Sequence, residues 1–80
     1  MSWIKVNDSL PNFDSFDPIF RLESAPVLVY TNYKVMLVAT LEADTDYPDN
    51  KLWYTADSEK WEITNNVTHW MKLPDAPKEA

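Results

Sequence analysis

The sequence contains no glycine among its 80 residues. At the average usage of about 7%, a chain of this length would have about five or six. Phosphate-binding loops of the P-loop and dinucleotide types need glycine for tight turns and for close approach of the backbone to the phosphate. The sequence therefore excludes both kinds of nucleotide-binding loop.

Cysteine is also absent, and histidine occurs once, as His69. Without cysteine the chain has no disulfide, no thiolate metal site and no cysteine nucleophile. One histidine excludes a metal site that takes two imidazoles from one chain. We expect no metal and no cofactor.

The chain is acidic, with thirteen Asp and Glu residues against seven Lys and Arg and a net charge of −6. Residues 41–62 hold seven of the acidic residues and two of the basic ones. Proteins that bind nucleic acid or anionic membranes need a cationic surface. We therefore expect neither partner, and a basic protein surface suits the middle of this chain better.

Neither a secretory signal nor a membrane-length apolar run is present in the sequence. We expect a cytoplasmic protein with one small domain over residues 1–77 and a frayed tail over residues 78–80.

Two apolar runs, Val27–Tyr30 and Tyr33–Thr40, flank the pair Thr31-Asn32. Asparagine is the best residue after glycine for a turn position with positive φ. This pattern predicts a central β-hairpin. Because both runs are almost continuously apolar, their strands should be covered on both faces, or else buried in a homo-oligomer.

Further short strands are predicted at residues 3–6, 51–55, 61–63 and 67–71, with an acidic loop over residues 42–50. Asp17-Pro18 is a helix start signal, and at most one or two helical turns would fit between it and Pro26. The predicted fold is mainly β, with a small α+β fold as the alternative. It consists of one antiparallel sheet of about four or five short strands around the central hairpin, with at most one short helix.

The acidic loop has the oxygen ligands that a hard cation prefers, but its spacing does not fit an EF-hand. Position 49 holds aspartate where glycine is needed, and position 55 holds threonine where glutamate is needed. We interpret the loop as a solvated turn. His69 is interpreted as structural, since neighbouring Thr68 should point to the opposite face of its strand.

Four tryptophans are present, and in so small a domain most should be core residues. Tryptophan is enriched at interface hot spots, so one or two exposed rings would be contact residues. The predicted partner-binding residues are Asp44, Asp46, Tyr47, Asp49, Trp53 and Trp61.

Both ends of the sequence carry motifs that resemble a known family. Residues 3–11 read WIKVNDSLP, residues 27–30 read VLVY, and residues 67–77 read VTHWMKLPDAP. This resembles the domain-of-unknown-function 551 family, whose pattern is W-I-x-V-x-D-x-L-P, a V-L-V-type strand and T-H-W-M-x-L-P-x-x-P. Two departures are Lys72, where the family usually has proline, and the longer connection over residues 12–26.

The resemblance implies a small β-rich fold in a phage or prophage setting, and it implies no activity. The residues of its motifs are interpreted as structural: Trp3, Asp8, Leu10, Pro11, His69, Trp70, Leu73 and Pro74. We expect Trp3 to pack on Trp70, so that the two ends of the chain lie side by side. A hydrogen bond between Asp8 and His69 would tie the opening turn to the last strand.

We predict a non-enzymatic accessory protein of a phage or prophage that binds a host protein through its acidic, aromatic-containing surface, as an inhibitor or DNA mimic. The alternative is a small-molecule binder that sequesters a nucleotide messenger of host defence, with Trp53 or Trp61 stacked on the base. An enzyme that uses Asp8 and His69 is the weakest of the three hypotheses.

Overall fold

The computed structural model describes residues 2–17 and 21–74, and of residues 14–17 it describes the backbone. Seven strands form one antiparallel sheet, which confirms the mainly β prediction with more strands than expected. The strands are β1 (Ile4–Lys5), β2 (Phe13–Asp17), β3 (Arg21–Ser24), β4 (Val27–Thr31), β5 (Met36–Asp44), β6 (Tyr47–Thr55) and β7 (Val67–Lys72). A 3₁₀ turn at Thr64–Asn66 precedes β7.

The central hairpin is confirmed as β4 and β5, paired from Val27 opposite Ala39 to Tyr30 opposite Met36. Its turn differs from the prediction, because β4 continues through Thr31 and the left-handed residue is Lys34, with φ of 64°. The N–H of Lys34 donates to the carbonyl oxygen of Thr31 at 2.9 Å. The turn therefore begins one residue later than the Thr31-Asn32 pair suggests.

Strand β5 pairs with three other strands of the sheet. Along one edge it pairs with β4 and then with β3, and along the other it pairs with β6. Between β3 and β4, the hydroxyl of Ser24 accepts a hydrogen bond from the N–H of Leu41 at 2.9 Å. Strands β3 and β4 thus lie end to end beside β5, separated by Ala25 and Pro26.

Residues 17–25 form no helix where the structure describes them, which agrees with the prediction of at most one short helix. Residues 21–24 form β3, which pairs with β2 on one side and with β5 on the other. These two sets of ladder hydrogen bonds override the local Asp-Pro signal. Residues 18–20 lie outside the described residues.

The acidic loop predicted over residues 42–50 is instead the end of β5 and the beginning of β6, joined by a turn at residues 45–46. Tyr47 and Leu52 pair with Asp44 and Glu42 of β5, and a register shift between these two pairs accommodates residues 48–51 as a bulge. The predicted strand over residues 51–55 is the second half of β6. Residues 61–63 provide only an isolated bridge between Glu62 and Tyr54.

The two ends of the described chain lie side by side, as expected. Strand β7 pairs with β4, and β1 pairs with β7 through Ile4 opposite Trp70. The indole N–H of Trp70 donates to the carbonyl oxygen of Ser9 at 2.8 Å and fixes the segment after β1. The predicted tail over residues 78–80 lies outside the described residues.

One face of the sheet, the core face, contains the apolar core. Its buried members are Val27, Val29, Ala39, Leu41, Trp53, Val67 and Trp70. Partly buried residues pack against them: Ile4, Val6, Leu10, Phe13, Leu37 and Ile63.

The other face, the open face, carries Tyr30, Thr40, Glu42, Tyr54 and His69, as the strand registers require. The expectation that the hairpin is covered on both faces within one chain is wrong for the described residues. On the open face Met36 is 60% exposed and Val38 is 38% exposed. The homo-oligomer alternative remains a prediction.

Candidate functional site

Four of the predicted partner-binding residues lie together at the end of the β5–β6 hairpin. We name Asp44, Asp46, Tyr47 and Asp49 the acidic tip. The carboxylate of Asp44 accepts a hydrogen bond from the N–H of Asp46 at 2.8 Å and holds the turn. Tyr47 is 69% exposed, and Asp46 and Asp49 are also exposed. The tip is therefore a fixed turn with one aromatic ring among three carboxylates.

The two lysines of the acidic segment 41–62 do not neutralise the tip. Lys60 forms an ion pair with Glu42 at 3.1 Å. The Nζ of Lys51 lies 5.8 Å from the centre of the Phe13 ring. Among the side chains that the structure describes, the two ion pairs both involve Glu42. The carboxylates of the tip consequently have no ion-pair partner among the described side chains.

Trp53 was predicted to contact a partner, and this is wrong. Its side chain is 3% exposed, because it lies opposite Leu41 on the core face. Side chains alternate between the two faces along β6, so Trp53 points to the core face while Leu52 and Tyr54 point to the open face.

Trp61 is 63% exposed, but it lies at the other end of β6 from the tip. Its backbone N–H donates to the hydroxyl of Thr55 at 2.9 Å. Thr55 lies opposite Ala39 and Tyr47 lies opposite Asp44, five residues further along β5, so at about 3.3 Å per residue Thr55 is about 17 Å from the tip. The structure therefore divides the predicted surface into two separate places.

The loop that carries Trp61 is well ordered by hydrogen bonds to Asp57. Its carboxylate accepts from the hydroxyl of Thr55 and from the N–H groups of Glu59 and Lys60 at 2.9–3.1 Å. The hydroxyl of Thr55 and the N–H of Lys60 hold the pKa of Asp57 below its usual range. The Trp61 indole N–H donates to the carboxylate of Glu59 at 2.6 Å, so an acid lies against the exposed ring.

A cluster of charged residues on the open face was not predicted. Glu42 is 2% exposed, and its carboxylate lies 2.8 Å from Arg21 Nη2 and 3.1 Å from Lys60 Nζ. The hydroxyl of Thr40 donates to it at 3.0 Å. Both cations also lie over the ring of Tyr54, at 5.8 and 5.6 Å from its centre. We name Arg21, Glu42, Tyr54 and Lys60 the Glu42 cluster.

Two glutamates of this region have opposite pKa shifts. Burial raises the pKa of Glu42, but hydrogen bonds from Arg21, Lys60 and Thr40 outweigh it, and the pKa lies below the ordinary value. Glu23 lies opposite Glu42 on the neighbouring strand. Burial raises the pKa of Glu23, and the negative charge of Glu42 raises it further. The cluster therefore holds Glu42 ionised at the expense of Glu23.

The two tryptophans of the end motifs do not pack together, which corrects the expectation. Trp70 is buried on the core face, opposite Ile4. Trp3 precedes Ile4 in an extended segment and therefore points to the open face, where its ring centre is 5.9 Å from that of Tyr30. The end motifs still join the two ends, through strand pairing and the bond from Trp70 to Ser9.

His69 does not bond to Asp8 among the described hydrogen bonds. Its Nδ1 lies 2.8 Å from the hydroxyl of Thr68, so the expectation that these neighbours cannot interact is wrong. The register of β4 and β7 shifts between Tyr30 and Thr31, and this bulge reorients Thr68. The hydroxyl of Thr68 also donates to the carbonyl oxygen of Tyr30 at 3.2 Å. Because that bond uses the single hydroxyl proton of Thr68, Nδ1 of His69 donates a hydrogen bond to the Thr68 oxygen.

A cleft of about 440 Å³ lies where β3 and β4 separate. Residues of both end motifs line it: Leu10, Pro11, Trp70, Lys72 and Leu73. Pro74 follows on the exposed surface, and Asp8 is exposed in the opening turn. Four of the eight motif residues, Leu10, Pro11, Trp70 and Leu73, thus meet around one cleft, where Trp70 forms part of the packed core.

The described residues contain no group of three His, Asp or Glu side chains placed to hold a metal ion. No helix within residues 2–17 and 21–74 has the length and apolarity to span a membrane.

Comparison with known proteins places the chain in a family. The family model described as protein of unknown function (DUF551) matches residues 2–78. No curated protein and no solved structure matches the chain. Since the match covers nearly the whole chain, the protein belongs to the DUF551 family.

Proposed function

We propose that this protein is a non-enzymatic phage or prophage accessory protein that acts in the bacterial cytoplasm by binding a basic surface of a host protein. The acidic tip is the contact site. The observation that carries the proposal is the exposure of Tyr47 among carboxylates that have no ion-pair partner in the described structure. A partner with lysine or arginine around an apolar pocket matches this arrangement.

The two kinds of tip residue have different roles in this proposal. Carboxylates that complement a basic patch chiefly raise the association rate and specificity. An aromatic ring at the centre of an interface contributes more to affinity than the residues at the rim of that interface. Tyr47 is therefore the anchor, and Asp46 and Asp49 steer the partner. Mimicry of the DNA backbone, as an inhibitor of a host nucleic-acid-binding protein in an anti-defence role, is the more specific form of the proposal.

The test is capture of proteins from a bacterial lysate by the tagged protein, with variants that separate the tip from net charge. Asp46→Lys with Asp49→Lys reverses the tip but keeps Asp44, which holds the turn. Asp8→Lys with Glu59→Lys changes the net charge equally at other exposed positions. A partner that the first variant loses and the second retains supports the proposal. A partner set that is the same for both variants contradicts it.

Tyr47→Ala gives an independent measure on any partner so identified. We expect binding to weaken at least tenfold, through a faster dissociation rate, as for truncation of an interface anchor. Surface plasmon resonance at several salt concentrations measures it. The charge variants should change the association rate and its salt dependence, so an effect of Tyr47→Ala on association alone would contradict its role as anchor.

A nucleotide messenger fits the structure less well than a basic protein. Trp53 is buried, so of these two rings Trp61 is the one that can stack on a base. The carboxylate of Glu59 lies against that ring and would repel phosphates. In a thermal-shift screen, a nucleotide at a hundred times its Kd would add about 2.7 kcal/mol of stability. Such a shift would favour the messenger.

A further inference from the structure

The open face has an apolar half that is separate from the Glu42 cluster. It extends over β1, β7, β4 and the first half of β5. We name its six residues the apolar patch: Trp3, Leu28, Tyr30, Met36, Val38 and Met71.

The strand registers make the patch continuous. Tyr30 lies opposite Met36, and Leu28 lies opposite both Val38 and Met71 on its two neighbouring strands. Residues that face each other across antiparallel strands point to the same side of the sheet. The ring of Trp3 packs on that of Tyr30. The six side chains therefore form one surface across four adjacent strands.

The patch is exposed to solvent in the single chain. Met36 is 60% exposed, and Trp3 and Val38 are each 38% exposed. On the core face, the segment after β1 and Ile63 provide a covering layer. No described segment does so for the patch. Sheets with an apolar face bury it against a second layer, and this half of the sheet lacks one.

We infer that a second copy of the chain supplies that layer, by packing patch against patch in a symmetric dimer. The distribution of charge favours this occupant. Copies of a protein with net charge −6 repel each other over most of their surface. Of the described charged side chains on these strands, Lys5 shares the face of the patch, whereas Lys72 points to the core face. The patch is thus the part of the surface where two acidic chains can meet without carboxylates in contact.

The size of the patch predicts a weak dimer. With large side chains of about 150–250 Å², the exposed fractions leave on the order of 500 Å² per copy. A standard stable interface buries about 800 Å² on each partner. We therefore expect reversible association in the micromolar range. The acidic tip lies at the far end of β5 and remains free in the dimer, so this inference does not depend on the proposed function.

Sedimentation velocity from about 5 to about 500 µM covers the range in which micromolar association is visible. The wild type should shift from monomer to dimer, and Val38→Lys should weaken the association at least tenfold. A symmetric interface contains each substitution twice, which increases the effect. Val35→Lys is the matched control, since Val35 is 49% exposed on the same hairpin but precedes Met36 and points away from the patch.

Met36→Lys, at a more exposed position, repeats the measurement if Val38→Lys fails to fold by circular dichroism. Added salt should leave the dimer intact, because apolar burial is not screened. A wild type that stays monomeric to the highest concentration would overturn the inference. So would dimers that salt dissolves, or equal effects of the patch variants and Val35→Lys.

Discussion

Leu41 and Glu42 are neighbours on β5, almost equally buried at 1% and 2% exposure, and they point to opposite faces of the sheet. Leu41 is stabilised by apolar contact with the core. Glu42 keeps its charge and requires two cations and a hydroxyl to remain ionised there. Burial of the apolar Leu41 is thus stabilising by itself. Burial of the charged Glu42 is tolerated only because cations and a hydroxyl group contact its carboxylate.

The partners of Glu42 come from distant parts of the chain. Arg21 belongs to β3, and Lys60 belongs to the loop after β6. Lys60 adopts a left-handed backbone with φ of 52°, an unfavourable conformation for any residue except glycine. The ion pair with Glu42 and the bond from its N–H to Asp57 hold it there. The open face therefore depends on three separate elements being correctly placed.

The largest expected effect is removal of both cations. Arg21→Gln with Lys60→Gln leaves the Glu42 carboxylate buried without a counter-charge. Breaking a buried ion pair in this way costs about 3–5 kcal/mol, so we expect a loss of about 3 kcal/mol or more in the free energy of unfolding. Urea denaturation followed by tryptophan fluorescence measures it. Lys5→Gln with Lys72→Gln, at exposed positions, should lose less than about 1 kcal/mol. Equal losses in the two variants would contradict the comparison.

Replacing the whole cluster should sharpen the contrast. Arg21→Met, Glu42→Leu and Lys60→Met together make this part of the open face apolar like the core face. Such replacements of buried ion pairs are often neutral or stabilising. We expect the triple variant to unfold within about 1.5 kcal/mol of the wild type in urea. A triple variant as unstable as the double Gln variant would show that the cluster contributes more than compensation of one buried charge.

The smallest effect concerns Glu23 and the pH. The folded pKa of Glu42 is lowered, so its contribution to stability is present above the unfolded value of about 4.3 and is lost as the pH falls through the folded pKa. The folded pKa of Glu23 is raised, so its contribution is present below the unfolded value and is lost as the pH rises through the folded pKa. Ionised Glu23 is therefore unfavourable at neutral pH.

Glu23→Gln should accordingly stabilise the protein at pH 7 by about 0.5 kcal/mol, the size of a solvent-screened pair. The gain should disappear below the unfolded pKa, where Glu23 is protonated. Urea titrations at the two pH values measure this difference. Asp8→Asn controls for the loss of one negative charge from an acidic protein. The same gain from Asp8→Asn at pH 7 would contradict a specific effect of Glu42 on Glu23.

The sequence was sufficient to predict the elements that depend on alternation and apolarity. The central hairpin, the strand at residues 67–71 and the pairing of the two ends follow from these patterns and from the end motifs. The exposure of the acidic tip follows from its charge, although its role in binding remains a prediction. Strand β3 was missed, because its pairing with β2 and β5 is a tertiary effect that local signals do not contain.

The errors at single residues have physical causes that a sequence does not reveal. Trp53 is buried because it points to the covered face of the sheet, and alternation along a strand does not by itself reveal which face is covered. The local sequence indicates that Glu42 belongs to the acidic surface, because its cations are 21 and 18 positions away along the chain. The contact between Thr68 and His69 depends on a bulge that brings these two neighbouring side chains to the same side of β7.

The position of β7 has a consequence for synthesis on the ribosome. Strand β4 and strand β1 both have β7 as their neighbour, and β7 is made after every other strand. While translation proceeds, the apolar edge of Val27–Thr31 has no strand to pair with on that side. The sheet of the nascent chain is therefore completed only after residues 67–72 emerge from the ribosome. Until then β4 exposes an unpaired edge that strands of other nascent chains can join.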